Sequence, residues 1–171
     1  ALGYAALVVT ERNPRSPRAR AQSGNPRVAW IEDQRAALGW YNGVSNRVNQ
    51  AVAYEMMDLG ITQLAQVSTV AAAWDRLFRD FNGGTGYQTG QTIAIKVNFN
   101  NYSEDPQCHN PNHQMVNALL RQLIEDVGIA QQDICLYDAT RTLRAEFISG
   151  VSSRFPDVQL NPASRKNFDA P

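Results

Sequence analysis

The stretch "TIAIKVNFNNYSEDPQCHNPNHQMVNALLRQLIEDVG", Thr92 to Gly128, decides how this chain folds. Its first eight residues are rich in β-branched side chains and almost continuously apolar, as expected of a strand covered on both faces. The run ends on Lys96 and a set of asparagines and crosses a polar loop holding Cys108, His109 and His113. It then enters a helix pattern, with Met115, Val116, Leu119, Leu120, Leu123, Ile124 and Val127 at spacings of three and four up to Gly128. Asn112, after Pro111, reads as the helix cap and places His113 in the first turn. The order predicts a strand whose C-terminal end opens into a site closed by the start of a helix.

Downstream, "DICLYDA" (133–139) reads as the next strand, "TLRAEFISGVSSRF" (142–155) as a helix and "DVQL" (157–160) as a short last strand. Upstream, "RVAWIE" (27–32) has the content of a short strand entering the domain. Ser45 and Asn46 are ready to cap a helix carrying Val48, Val52, Met56 and Leu59 on one face and ending near Gly60. In "STVAAAWDRLFRDF" (68–81), Ser68 or Thr69 caps a second helix whose face is Val70, Trp74, Leu77, Phe78 and Phe81. The glycine-rich "NGGTGYQTG" (82–90) lies between a helix and a strand, so it reads as a turn; phosphate loops join a strand to the following helix. Strand, helix, strand, helix, strand predicts an α/β fold. The expectation is a three-layer, mostly parallel sheet with helices on both faces in a Rossmann-like topology, forming one domain over 27–171 behind an extended basic N-terminal arm, 1–26.

Acids and bases balance at 16 each, which removes nucleic acid as an expected ligand. The balance hides an asymmetry, because Arg12, Arg15, Arg18, Arg20 and Arg27 face a single early acid, Glu11. "ALGYAALVV" (1–9) is apolar but far short of the roughly 20 residues that cross a bilayer. The Pro/Arg/Ser-rich stretch after it carries small residues at Ala19 and Ala21, a pattern like that before a signal-peptidase cut. Three readings stay open: a signal or membrane-anchor remnant that more apolar residues upstream would complete, an arm on a partner, or an incidental terminus. Together they lead us to expect an exported or membrane-associated protein, at the bacterial periplasm or cell surface, joined to a larger complex through residues 1–27.

Two cysteines outside any CxxC pair exclude a four-thiolate cluster within the chain, so no iron–sulfur cluster is expected. Cys135, in an apolar run, reads as a buried free thiol, with a Cys108–Cys135 disulfide the formal alternative. In open parallel sheets ligands bind beyond the carboxyl ends of the strands. One such end offers Lys96, Asn98, Asn100 and Asn101; the next offers Asp138, Thr140 and Arg141. Lys96 reads either as an anion-binding ammonium or as a stem reaching out to solvent. Asp138 reads as a functional carboxylate or as an Asx turn. Cys108, His109 and His113 suit a single transition-metal ion such as zinc, a catalytic histidine, or ordinary loop packing; the loop offers no obvious fourth ligand.

The block "IAIKVNFNN…HNPNHQMVNALLRQLIEDVGI…DICLYDATR" resembles the family catalogued as domain of unknown function 362, with its "IKPN" strand end, polar loop, helix and acid-terminated strand. Lys96 and Asn98 take the positions of the family's lysine and asparagine, Val97 replaces its proline, His113 lies where its helix begins, and Asp138 matches its closing acid. The likeness covers roughly residues 29–160 and is most specific over 92–141. Many members of that family resemble iron–sulfur proteins and some are exported; this chain lacks the cysteine motifs. The resemblance implies a truncated copy and a retained fold serving as an accessory subunit. The alternative is an enzyme or ligand-binding domain that holds an anion or metal at the strand ends.

Overall fold

The computed structural model describes residues 6–8, 28–36, 48–99 and 111–161. Its centre is a four-stranded mixed sheet in the order β1 (Ala6–Val8), β2 (Ile93–Lys96), β3 (Ile134–Tyr137), β4 (Gln159–Asn161). β2, β3 and β4 run parallel, with Ile95 opposite Leu136 and Leu136 opposite Leu160. These are the three strands expected from "TIAIKVNF", "DICLYDA" and "DVQL". The protein is α/β.

Among the described residues four α-helices join the strands: α1 (Gln50–Ala65), α2 (Val70–Phe81), α3 (His113–Arg121) and α4 (Ala145–Ser152). α3 connects β2 to β3 and α4 connects β3 to β4, each crossing to the adjacent parallel strand. Right-handed crossovers that advance one strand at a time lay their helices on one face. α1 packs along both α2 and α3, and α3 packs on α4, so the described helices form a continuous row.

Burial follows this arrangement. Ile93, Ile95, Ile134 and Leu136 are buried, whereas Ala94, Lys96, Cys135 and Tyr137 are half-buried. The alternation differs from the uniform burial expected of a strand covered equally on both sides. Cys135 is a half-buried free thiol, not the fully buried one its apolar neighbours suggest. The core joins the buried strand residues to Trp74 and Phe78 of α2, Val116, Leu119, Leu120 and Leu123, and Phe147 and Val151 of α4. Phe99 meets Phe147 edge to face at 5.2 Å between centroids, locking the end of β2 to α4.

The helix ends show where local chemistry prevails. Asn112 caps α3 as expected, its Oδ1 accepting the Met115 N–H at 2.8 Å, and Thr69 caps α2 through the Ala72 N–H. α1 is capped by Asn49, whose Oδ1 accepts the Ala51 N–H, and not by Ser45 or Asn46, which lie outside the described residues. It also runs through Gly60 to Ala65 and stops where Gln66 turns left-handed at φ 55°. Ile31 stands 3.5 Å from where a Cβ on Gly60 would be, an ordinary van der Waals contact, so the side chain of Ile31 packs over this glycine. After α3 the backbone widens into a π turn, Gln122–Asp126, before Gly128 reverses it at φ 83°.

Two segments depart from expectation at the front of the chain. Ala6–Val8, assigned from sequence to the arm, is an edge strand paired antiparallel to β2, with Ala6 opposite Lys96 and Val8 opposite Ala94. Main-chain pairing there covers the donors and acceptors that an unpaired β2 edge would present. The stretch expected as a strand, 27–32, falls in a segment whose described residues 28–33 form an extended strap with no sheet partner, followed by a short 3₁₀ turn, Gln34–Ala36. The strap lies along α1: Ile31 faces Gly60, Arg35 pairs with Glu55, and the Asn49 N–H donates to the Ala36 carbonyl.

Candidate functional site

The strand-end residues expected to converge divide between the two sides of the sheet. Lys96 stands opposite Tyr137 in register, and successive residues alternate faces, so Asp138 emerges on the other side from Lys96. Lys96 is half-buried and its Nζ donates to Asn98 Oδ1 two residues on. A neutral amide satisfies one ammonium proton and leaves the charge uncompensated by that partner.

Asp138 is 6% exposed and its carboxylate is fully engaged by main chain. Oδ2 accepts the Phe99 N–H at 2.7 Å; Oδ1 accepts the N–H groups of Thr140 at 2.7 Å and Arg141 at 2.9 Å, and the Thr140 hydroxyl at 3.3 Å. Burial by itself would raise the pKa of this carboxyl, but the N–H groups of Thr140, Phe99 and Arg141 together outweigh it and hold it below the ordinary value. The Oδ1 bonds to the Thr140 and Arg141 N–H groups form an Asx-type turn, and with the Phe99 bond the aspartate pins the end of β2 to the loop after β3. Arg141 enters this knot through its backbone.

His113 opens α3, and its imidazole is pressed onto Gly150 of α4; a Cβ at position 150 would lie 2.3 Å from His113 Cγ. Burial lowers the imidazole pKa, and the Glu146 carboxylate opposes that shift. Cys108, His109, Asn100 and Asn101 lie outside the described residues. Among the described residues no three His, Cys, Asp or Glu side chains come together as a metal-binding group. No described helix is long and apolar enough to cross a membrane.

Among the described residues a polar constellation that the sequence does not single out lies between α1 and α3. α1 and α3 run side by side in parallel, and their facing stripes are polar: Gln50, Tyr54 and Asp58 on one, Gln114, Asn117 and Arg121 on the other. Gln50 Nε2 donates to the Gln114 carbonyl at 2.8 Å, Asn117 Nδ2 to the Gly150 carbonyl at 3.1 Å, and Arg121 Nη2 pairs with Asp58. Gln122, fully buried in the π turn, donates to Asp58 at 2.7 Å and accepts from Trp74 Nε1 at 3.0 Å, tying three helices at one amide. The signal was present as polar residues at i, i+4, i+8 on α1 and i, i+3, i+7 on α3. The apolar series Val48, Val52, Met56, Leu59 competes with that polar stripe for the inward face. Val52 is buried, Met56 half-buried and Leu59 exposed.

A second surface feature lies on the strap. Its side chains alternate, with Ala29, Ile31 and Asp33 turned inward and Val28, Trp30 and Glu32 outward. Val28 is 84% and Trp30 73% exposed. Burying a large apolar side chain is worth roughly 1.5–3 kcal/mol, a gain that Trp30 forgoes on this strap. No family model matches the chain, and neither the curated proteins nor the solved structures contain a match, so the likeness drawn over residues 92–141 rests on those residues alone.

Proposed function

We propose that this protein is an accessory or scaffold subunit of a larger protein complex, docking through its N-terminal region, with Val28 and Trp30 at the edge of the contact. The observation that carries this reading is the outward display of those two side chains on a strap fixed to α1 by Ile31 and by the Arg35–Glu55 pair. The strap directly follows the arginine-rich residues 12–27, which a partner would also engage. The half-buried side of the sheet, carrying Ala94, Cys135 and Tyr137, suits a third layer supplied within the assembly. Export or membrane attachment belongs to the same proposal and is supported by the apolar and A-x-A-like pattern of residues 1–21.

The test is a photo-crosslinking amino acid at position 30 in the native host, followed by gentle extraction, sizing and mass spectrometry. A discrete cross-linked protein, lost when Val28 is replaced by serine, supports docking at this surface. A monomer without cross-links refutes it.

The runner-up is a ligand-binding role in which Lys96 and Asn98 hold an anion. A half-buried ammonium whose hydrogen-bond partner is a neutral amide favours a negatively charged ligand nearby. Phosphate titrated by calorimetry into the protein and into Lys96→Ala distinguishes the two: heat present in the first and absent in the second establishes the site.

A further inference from the structure

The seam between α1 and α3 leaves three buried polar atoms without a protein partner: Tyr54 Oη, Asn117 Oδ1 and Arg121 Nε. Asn117 is 4% exposed, and its amide nitrogen is committed to the Gly150 carbonyl at 3.1 Å and Gln50 Oε1 at 3.4 Å, which fixes the orientation of the amide and leaves the oxygen facing away from those two acceptors. Arg121 is held at its other end, with Nη2 on Asp58 and Nη1 3.7 Å from Asp126. Tyr54 lies one helical turn after Gln50 and one before Asp58, hence between the rungs that those residues make with Asn117 and Arg121. Its ring lies 5.0 Å from the Arg121 guanidinium carbon.

The chemistry of the three groups selects their occupant. Asn117 Oδ1 only accepts, Arg121 Nε only donates, and the tyrosine hydroxyl does either. An anion is disfavoured by Asp58, Glu125 and Asp126 around the seam, and a cation by Arg121 and Arg154, the second of which stacks 5.1 Å from the Tyr54 ring. A small neutral molecule that both donates and accepts remains.

We propose that the α1–α3 seam is a binding site for one internal water molecule, held by Asn117 Oδ1, Tyr54 Oη and Arg121 Nε. The water donates to Asn117 and Tyr54 and accepts from Arg121, a three-bond arrangement typical of buried water. It completes the polar ladder between two helices whose other rungs are direct hydrogen bonds. The site is independent of the docking surface at Trp30.

The test is a crystal structure at a resolution that shows ordered solvent, combined with water-to-protein NMR cross-relaxation read at Arg121 Hε in the folded full chain. The expected result is one solvent peak within hydrogen-bond distance of all three atoms and a cross-peak with the sign of a long-lived bound water. In Tyr54→Phe that cross-peak weakens or vanishes while the protein stays folded; Asn117→Leu gives the same loss where it folds. A dry seam, with Asn117 Oδ1 and Arg121 Nε paired directly to other protein groups, overturns the proposal. So does a cross-peak undiminished in Tyr54→Phe.

Discussion

Gly150→Ala should reverse the usual effect of that substitution in a helix. Replacing a helical glycine by alanine ordinarily stabilises by up to about 1 kcal/mol, because alanine loses less backbone entropy on folding. At Gly150 the new methyl would stand 2.3 Å from His113 Cγ, 2.5 Å from Cδ2 and 2.7 Å from Nδ1. Carbon atoms in contact sit about 3.5–4.0 Å apart, so the ring must retreat by more than about 1 Å. Retreat is resisted because α3 is held at this end by the Asn112 cap, by Gln50 on the Gln114 carbonyl, and by Asn117 on Gly150 itself. Overpacking of this kind costs about 1–3 kcal/mol, giving a net destabilisation of roughly 0–2 kcal/mol once the helix gain is subtracted. Urea unfolding monitored by tryptophan fluorescence on the wild type, Gly150→Ala, His113→Ala and the double variant separates the two effects. In the His113→Ala background the alanine should stabilise, because the ring it would strike is gone. If Gly150→Ala stabilises both backgrounds equally, the α3–α4 contact is not as tight as the structure draws it.

Asp138→Ala removes the acceptor for the Phe99, Thr140 and Arg141 N–H groups and should destabilise by about 2–4 kcal/mol, measured by the same unfolding assay. Gln122→Leu strands Trp74 Nε1–H and removes a donor from Asp58; a loss of about 1–3 kcal/mol with a red-shifted or broadened tryptophan emission is expected. Acid should destabilise in two windows of the same sign. His113 has a folded-state pKa below its ordinary 6.5, so as pH falls through 6.5 the unfolded chain takes up that proton first and stability drops until the folded imidazole is also protonated. Asp138 likewise has a depressed pKa, so its contribution is intact above 3.8 and is lost as pH falls from there through the folded value. Thermal melts from pH 7.5 downward should show the first step flattened in His113→Gln and the second in Asp138→Asn.

The parallel strands and the helices between them were legible because each carries an uninterrupted local signal. "TIAIKVNF" and "DICLYDA" are too apolar to be loops, and the α3 face repeats at helical spacing behind an asparagine cap. Helix α1 was misplaced in register because its sequence has apolar residues on more than one side. Polar residues made the inner seam, and only packing against α3 decides which stripe turns inward. Lys96 and Asp138 looked like neighbours because both end strands, yet a difference of one residue in a period of two puts them on opposite sides. The strap could not be told from a strand, since extended backbone with alternating side chains is common to both and the presence of a pairing partner is not written locally. The Thr140 and Arg141 bonds to Asp138 are the local turn that the sequence offers, whereas the bond from Phe99, thirty-nine residues away, has no local trace.

The pairing of β1 with β2 also bears on the order in which the chain assembles. During synthesis Ala6–Val8 leaves the ribosome first, but its partners at 94–96 appear about ninety residues later. Closing so long a loop costs on the order of 4 kcal/mol in chain entropy, against which three residues of ladder give little return until β2 is already fixed by β3 and the helices. Of the four described strands the earliest made is therefore the last to settle, and until it does the β2 edge is available to any extended segment, including β1 of another copy.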